Sequence, residues 1–295
     1  MKRVILLVIT NLAVMVTLAV VAEALCALMG TSLSEVLGPQ YATLAVWAIV
    51  YGFAGSIISL LLSKTMAKTS CRAETIDGSE GPSERWLVET VRDLAARADL
   101  KMPEVAIYPG EANAFATGAF RNHALVAVST EIMGKMSKEE LRAVLGHEMS
   151  HVANGDMVTL SLVQGVLNSC VIFFSHVLAS VLAGMFGRGN GRRRGNSGSY
   201  LIARLIQMPL GILASLVVCG YSRRREFAAD AGSAKLLGSP FPMISALRRL
   251  GGLKPGDLPD SLKAFGVSAR PKSSLFATHP PLEERIAALQ EWHAD

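Results

Sequence analysis

Four long apolar stretches separate the polar sections of the chain. They lie at residues 4–22, 41–63, 157–187 and 201–220. The first two contain no charged residue and have the length of roughly 20 residues that a helix needs to cross a bilayer. They predict two transmembrane helices. We interpret the first as an uncleaved signal anchor, because its apolar core is longer than that of a typical signal peptide.

The third and fourth stretches are less regular. Six residues interrupt them: Gln164, Asn168, His176, Arg204, Gln207 and Pro209. Polar groups at membrane depth must face protein, water or one another, since hydrocarbon offers them no partner. The pattern predicts a second hydrophobic hairpin at residues 157–222. In this hairpin His176 is expected to be hydrogen-bonded to a neighbour rather than to take part in chemistry.

The polar sections contain shorter elements. Apolar residues at helical spacing predict an amphipathic helix at 84–98, and short runs rich in β-branched residues predict strands at 103–108 and 124–129. Residues 71–83 are polar and rich in Gly and Pro, which is typical of a linker. A further helix is predicted at 137–153, where Ser137 and Glu140 have the spacing of a capping box.

The helix at 137–153 contains the pattern H-E-x-x-H, formed by His147, Glu148 and His151. Residues four apart share a helix face, so both imidazoles can reach one ion while Glu148 flanks it. Zinc with three protein ligands keeps a position for water, and an adjacent carboxylate can accept a proton from that water. The pattern therefore indicates a zinc hydrolase with Glu148 as general base.

A third ligand is expected from a second helix. Glu226 and Asp230 are also four apart, so Glu226 could bind the metal while Asp230 accepts a hydrogen bond from the far nitrogen of a metal-binding histidine. The alternative for Glu226 is a solvated acid at a helix start beside three arginines. Because H-E-x-x-H lies upstream, we favour the ligand interpretation.

Three motifs together resemble the HtpX family of membrane-bound zinc metalloproteases, with prenyl-protein endopeptidases as more distant relatives. They are HEMSH at 147–151, EFAAD at 226–230 and THPP at 278–281. The resemblance implies an α+β membrane protein in which transmembrane helices carry a cytoplasmic, mainly helical, gluzincin-like zincin domain with a small β-sheet. It further implies a zinc metalloendopeptidase with one zinc ion per chain. The implied substrates are misfolded or damaged membrane proteins, or other unfolded polypeptides, in quality control and stress response.

The same resemblance suggests further site residues. Residues 112–118 are similar to the family's edge strand, where Asn113 would help to hold the substrate backbone. His279 and Arg285 match positions near the catalytic cleft, where a cationic or hydrogen-bonding group could stabilise the oxyanion of the reaction. The alternatives are an ordinary turn residue for Asn113 and a helix-capping residue for His279.

Charge bias predicts the orientation in the membrane. Lys2 and Arg3 precede the first span, Lys64 and Lys68 follow the second, and the loop at 30–40 has no Lys or Arg. By the positive-inside rule the loop faces outward and the chain after residue 63 faces the cytoplasm. The resemblance to the HtpX family implies that the membrane is the inner membrane of a bacterium.

The second hairpin conflicts with this rule. Its loop at 187–199 carries four arginines and no acid, yet it would lie outside if the hairpin crossed the bilayer. The proposed metal ligands flank the hairpin, so it crosses either twice or not at all. We favour two crossings on the strength of the resemblance. The predicted domains are an N-terminal transmembrane hairpin (1–63), the first catalytic segment (64–156), the second hydrophobic hairpin (157–222) and the second catalytic segment (223–295).

Composition narrows the function classes. Of 295 residues, 51% are hydrophobic and only 18% charged, which is unusual for a soluble enzyme. The net charge of +5 is concentrated at membrane edges, so the bilayer explains it better than nucleic acid does. The four cysteines lack C-x-x-C spacing and predict neither a disulfide framework nor a thiolate metal site.

The competing interpretations are a transporter with a polar pathway through the second hairpin and a non-catalytic membrane scaffold with a structural metal.

Overall fold

The computed structural model describes residues 20, 23–24, 27, 32, 35, 41–186, 197–253 and 277–293. Nearly all of the first predicted span, most of the loop at 30–40 and most of the arginine-rich loop at 187–199 lie outside these residues. The described elements, in chain order, are α1 Tyr41–Cys71, β1 Glu74–Ile76, α2 Pro82–Arg97, β2 Glu104–Tyr108, β3 Ala114–Thr117, β4 Leu125–Ser129, α3 Thr130–Lys135, α4 Lys138–Asn154, α5 Asp156–Phe186, α6 Ser197–Leu237, α7 Phe241–Gly251 and α8 Leu282–Gln290.

Residue contacts divide the chain into two compact units. The first comprises Met1–Ile58 and Ser161–Val218, and the second comprises Ser59–Leu160 and Cys219–Asp295. Within the described part of the chain, three segments have the length and apolar composition of a membrane span: Thr43–Cys71, Asp156–Ala183 and Tyr200–Leu237. The functional domain boundaries given above stay a prediction.

Small residues bring helices α1 and α5 together in the first unit. A Cβ atom added at Gly52 would lie 2.2 Å from Ser169 Oγ, and one added at Gly165 would lie 2.7 Å from the Phe53 ring. Small residues at helix interfaces allow backbones to approach closely where no hydrophobic effect drives association. Polar groups on α5 have partners there, since His176 Nδ1 lies 2.8 Å from the Ile172 carbonyl oxygen one turn earlier.

The second unit contains a mixed four-stranded sheet in the order β1-β2-β4-β3. Strands β2 and β4 are parallel, whereas β1 with β2 and β3 with β4 are antiparallel. Strands β2 and β4 lie where the sequence predicts them. Strand β1 falls in the segment that we expected to be a linker, because three residues are too few to show strand periodicity and only pairing with β2 defines them.

Strand β3 lies at one edge of this sheet. The Ser129 N–H donates to the Asn113 carbonyl at 2.9 Å, so the backbone of residue 113 faces β4. Backbone groups alternate in direction along a strand, so those of Ala114 and Ala116 face away from β4. Among the described strands, β3 therefore has no partner on its other side, which we call its free edge, although its residues are buried.

Helix α4 begins and ends at sequence signals. Ser137 Oγ accepts from the Glu140 N–H while the Glu140 carboxylate accepts from the Ser137 N–H, which is the predicted capping box. At its other end Gly155 adopts a left-handed conformation, with φ of 69°, that favours glycine. This turn leads directly into α5 at Asp156, so Asp156 begins the next helix five residues after His151.

The carboxyl-terminal part of α6 packs against α4 through small residues. A Cβ atom added at Gly146 would lie 2.9 Å from Ser233 Oγ, and one added at Gly232 would lie 2.5 Å from Ser150 Oγ and 2.8 Å from Ser150 Cβ. Ser233 Oγ also donates to the Ala143 carbonyl at 2.7 Å. Four small side chains therefore set how closely the two helices approach.

Replacing Gly232 by alanine is expected to destabilise the protein by about 1–3 kcal/mol, because rotating the Ser150 hydroxyl cannot relieve the contact with Ser150 Cβ. Thermal unfolding of detergent-solubilised protein measures the change. Gly134→Ala is the control, since an added Cβ meets nothing within 4 Å there. Equal melting temperatures for the two variants would contradict the proposed role of close packing.

Candidate active site

Three side chains from two helices converge at the centre of the second unit. Ligand atoms of His147, His151 and Glu226 all lie within 4.8 Å of one another. The Nε2 atoms of the two histidines are 3.1 Å apart, and the distances to Glu226 are 3.3 Å from His151 Nε2 and 3.6 Å from His147 Nε2. Ligands bound tetrahedrally to zinc at about 2.0–2.1 Å lie roughly 3.3–3.4 Å from one another. The spacing fits a single ion of that size.

The hydrogen bonds of the two imidazoles indicate why a cation fits there. His147 Nδ1 lies 2.8 Å from Asp230 Oδ1, and His151 Nδ1 lies 2.6 Å from Asp156 Oδ2. A carboxylate can only accept, so each Nδ1 carries the proton and each Nε2 carries a lone pair. The lone pairs of both Nε2 atoms and of the Glu226 carboxylate therefore point at one place, and a cation there relieves their repulsion.

A buried arginine supports the carboxylate behind His147. Arg285 is fully buried, and its Nε and Nη2 donate to the two Asp230 oxygens at 2.8 and 2.7 Å. Its Nη1 lies 3.3 Å from Glu226 Oε2. Burial alone lowers the pKa of the guanidinium, but the charges of Asp230 and Glu226 outweigh it and raise that pKa. Arg285 therefore remains charged inside the protein.

The carboxylate behind His151 also has an arginine beside it, although among the described residues neither Nε nor Nη1 of Arg225 has a hydrogen-bond partner of good geometry. Arg225 Nε lies 3.2 Å from Asp156 Oδ2, and Arg225 Nη2 lies 3.5 Å from His151 Nδ1. Asp156 is 6% exposed and Arg225 is 7% exposed. Sequence reasoning did not single out either residue. The position of Asp156 directly after the glycine that ends α4 is the only sequence signal available for the pair.

The buried charges of the site do not balance without a cation. Four carboxylates, from Glu148, Asp156, Glu226 and Asp230, are buried beside two guanidinium groups, from Arg225 and Arg285. The acidic groups outnumber the guanidinium groups even when Glu148 is protonated, and burying unbalanced negative charge is unfavourable. A cation bound by neutral histidines would compensate for this excess. The residues present thus fit a bound metal ion.

The pKa shifts of the two histidines are consistent with this deficit of positive charge. Burial by itself lowers the pKa of each imidazole. Hydrogen bonds and charges from Asp230 and Glu226 outweigh burial at His147, and those from Asp156 and Glu226 outweigh it at His151. The pKa of each imidazole is therefore raised, as the surrounding carboxylates favour positive charge at this place.

Glu148, which follows His147 on α4 and flanks the face of the two histidines, is completely buried. Burial raises the pKa of its carboxyl to about 8, while the charge of His151 acts in the opposite direction. Neither oxygen makes a hydrogen bond of good geometry, although the Ala116 backbone of strand β3 is close enough to favour the ionised form. The carboxylate and the free edge of β3 are therefore neighbours.

His279 also lies at the site, from the segment that precedes α8. Its Nδ1 approaches Glu226 Oε2 to 2.8 Å without the angles of a hydrogen bond. Among the described residues, neither ring nitrogen of His279 nor Nη1 of Arg285 has a hydrogen-bond partner. Buried donors without partners are rare and cluster at functional sites. Both residues are thus near Glu226, and their assigned roles stay predictions.

Asn113 precedes the edge strand and is 1% exposed. Its Oδ1 accepts from the Ala114 N–H at 2.9 Å, and its own N–H donates to Ser129 Oγ at 3.0 Å. These bonds fix the amide at the start of β3. A role for Asn113 in holding substrate stays a prediction.

A buried H-E-x-x-H helix joined by a carboxylate on a membrane-span helix defines a metallopeptidase of the membrane, and comparisons with known proteins agree. Residues 82–293 match Peptidase family M48. The chain is 50% identical over 301 residues to a protease HtpX homolog of Verminephrobacter eiseniae (strain EF01-2), covering all of both chains. It is 50% identical over 294 residues to one of Janthinobacterium sp. (strain Marseille), covering 98% of this chain and 99% of the other. The chain belongs to Peptidase family M48, and its resemblance to the HtpX proteases is confirmed.

The fold also resembles a solved structure. A crystal structure of S. mikatae Ste24p superposes with a TM-score of 0.59 at 17% identity, covering 97% of this chain and 67% of that chain. The predicted mainly helical membrane protein with a small sheet is confirmed.

Replacing Arg285 by methionine is expected to destabilise the protein by about 3–5 kcal/mol, because it leaves the buried Asp230 carboxylate without its partner. Arg92→Met is the control, since Arg92 is exposed on α2 and such surface changes are worth about 0.5 kcal/mol or less. Unfolding of both variants in detergent measures the difference. A loss at Arg285 no greater than at Arg92 would show that the buried pair is not stabilising.

Proposed function

We propose that this protein is a zinc endopeptidase with one zinc ion per chain, held by His147, His151 and Glu226. The convergence of three unprotonated ligand atoms on one place supports this most directly. Zinc bound there would polarise the carbonyl of the scissile peptide and increase the acidity of a water molecule. Asp230, held by Arg285, fixes the tautomer of His147 behind this site.

Glu148 is the proposed general base. Its carboxylate accepts a proton from the attacking water and donates it to the leaving amine. It needs a position beside the metal ligands without binding the metal itself, and H-E-x-x-H provides this by placing it one residue after His147. The adjacent backbone of Ala116 ties this carboxylate to the strand that receives substrate.

The proposed substrates are extended segments of misfolded or damaged membrane proteins and unfolded polypeptides. Such a segment would add to the free edge of β3 by main-chain hydrogen bonds with the Ala114 carbonyl and the Ala116 backbone, since the Ala114 N–H already donates to Asn113 Oδ1. Asn113 would position the start of this edge and hold the substrate backbone. Edge pairing needs an extended chain, so folded proteins would be poor substrates.

His279 and Arg285 are proposed to stabilise the negative charge that develops on the carbonyl oxygen. Both carry a buried donor without a hydrogen-bond partner among the described residues. Preorganised donors in a site from which water is excluded act strongly on developing charge. In Arg285 two nitrogens hold Asp230, so Nη1 is the donor that remains for this role.

The alternative of a structural metal site is less well supported. Structural zinc sites have four protein ligands, whereas the group found among the described residues has three. A transport pathway is also less well supported, because the hairpin's polar groups bind one another: Gln164 Nε2 donates to Asn168 Oδ1 at 2.8 Å, and Gln207 Nε2 donates to Ser175 Oγ at 3.2 Å.

We further propose that the protein lies in the inner membrane of a bacterium with its catalytic segments in the cytoplasm. The basic residues that flank the second span support this orientation. The hairpin at 157–222 would cross the bilayer twice, which returns the chain to the side of the upstream ligands.

Replacing Glu148 by glutamine is expected to lower peptide hydrolysis by about 100- to 10,000-fold while zinc stays bound, because only the base is removed. Casein digestion and elemental analysis of the purified protein measure the two properties. His147→Ala is the matched comparison, which should lose both. A chelator should abolish hydrolysis by the unaltered protein, and zinc should restore it. Full activity of Glu148→Gln would exclude the assigned role.

The orientation can be tested with single cysteines in a variant that lacks the four native ones. A cysteine at exposed Ser79 should react with a membrane-impermeant maleimide in inverted membrane vesicles but not in intact spheroplasts. A cysteine at Gln40, in the predicted outer loop, should show the reverse. Labelling of Ser79→Cys in intact spheroplasts would place the catalytic segments outside.

A further inference from the structure

Two buried residues that the proposed mechanism does not use lie behind His151. Asp156 Oδ2 is 2.6 Å from His151 Nδ1, and Arg225 Nε is 3.2 Å from the same carboxylate oxygen. We infer that Asp156 and Arg225 are positioning residues that hold the His151 imidazole in the tautomer and orientation that bind the metal. This rests on the proposed function only in taking His151 as a ligand.

The environment of His147 provides an internal reference. There the imidazole Nδ1 lies 2.8 Å from Asp230, Arg285 Nη2 donates to Asp230 at 2.7 Å, and the same Nη2 lies 3.5 Å from His147 Nδ1. Around His151 the Arg225 Nη2 to Nδ1 distance is also 3.5 Å. Each proposed metal-binding histidine thus begins a His–Asp–Arg relay, by which we mean an imidazole, a carboxylate and a guanidinium beside one another in that order. Arg285 donates two hydrogen bonds to Asp230, whereas Arg225 forms an ion pair with Asp156 without the angles of a hydrogen bond.

Each member of the relay has a distinct physical task. The carboxylate accepts the Nδ1 proton, which leaves the Nε2 lone pair for the metal and increases the basicity of the imidazole. Asp156 is 6% exposed, and the buried guanidinium of Arg225, 3.2 Å away, places an opposite charge beside its carboxylate. Arg225 therefore acts on His151 through Asp156.

The relay also connects the chain segments that form the site. Arg225 is the residue before Glu226. One turn of α6 therefore carries both the third proposed ligand and the guanidinium that lies beside Asp156, the carboxylate behind His151. Asp156 follows Gly155, whose left-handed conformation ends α4. A purely structural role for Asp156 would be different. An acid in the first turn of α5 stabilises that helix by its interaction with the helix dipole, whether or not His151 binds metal.

The test uses the full-length protein in detergent and measures zinc affinity by competition with a chelator. Asp156→Ser and Arg225→Gln are each expected to weaken zinc binding about 10- to 100-fold, as loss of such outer partners does in other metal sites. Arg224→Gln is the matched control, because Arg224 is the exposed neighbour on the same helix, and it should bind zinc like the unaltered protein. Unchanged affinity in both relay variants would overturn the inference.

A double-mutant cycle separates positioning from general destabilisation. If Arg225 acts through Asp156, adding Arg225→Gln to Asp156→Ser should weaken zinc binding little further. Adding Arg225→Gln to Asp230→Asn should instead give a loss of affinity equal to the product of the two single losses. If the double variant of Asp156 and Arg225 lost affinity by the product of the two single losses, the relay would be overturned. If Asp156→Ser does not fold, Asp156→Asn replaces it, since the amide keeps an acceptor oxygen without the charge and should weaken binding less.

The absorption spectrum of the cobalt-substituted protein reports on the geometry of the metal ligands. It should change in the relay variants and not in Arg224→Gln.

Failure of the proposed protease function can be distinguished from failure of the relay. Zinc binding without hydrolysis of casein would contradict the proposed protease, while the relay would still be measured by affinity. A protein that binds no divalent metal would overturn both.

Discussion

The close approach of helix α4 to the end of helix α6 is the constraint on which the site depends. The proposed ligands His147 and Glu226 are far apart in sequence, and the second hydrophobic hairpin separates them. Gly146 and Ser150 on one helix face Gly232 and Ser233 on the other, and their small size allows His147, His151 and Glu226 to reach a common point. Larger residues at this crossing would push the two helices, and with them the ligands, apart.

Electrostatics then decides what occupies that point. The site buries more carboxylates than guanidinium groups. Each imidazole donates a hydrogen bond from Nδ1 to a carboxylate, so the lone pair of its Nε2 points inward. A buried cluster of this kind is stable only with added positive charge, which either protons or a metal ion can supply. The same arrangement that destabilises the site without a cation makes it selective for one.

The surroundings of this point connect binding to peptide hydrolysis. Strand β3 turns a free edge away from its partner β4, and the backbone of Ala116 reaches the buried Glu148 carboxylate. The donors of His279 and Arg285 face Glu226 from the side of α8. Helix α4 carries the proposed base and two of the proposed ligands, α6 carries the third, and the two donors come from α8 and the segment before it. Membership of Peptidase family M48 agrees with a site assembled in this way.

The sequence by itself determined the elements whose signals are local. Helix α4 followed from its capping box and apolar spacing, the ligand pair His147 and His151 from helical periodicity, and the membrane spans from long apolar runs. Tertiary structure decided the rest. Strand β1 exists through pairing with β2, and the partnership of Asp156 with Arg225 joins residues on different helices that no spacing rule relates. Local patterns depend on neighbours along the chain, whereas pairing across a sheet or a buried ion pair depends on where folding brings distant segments together.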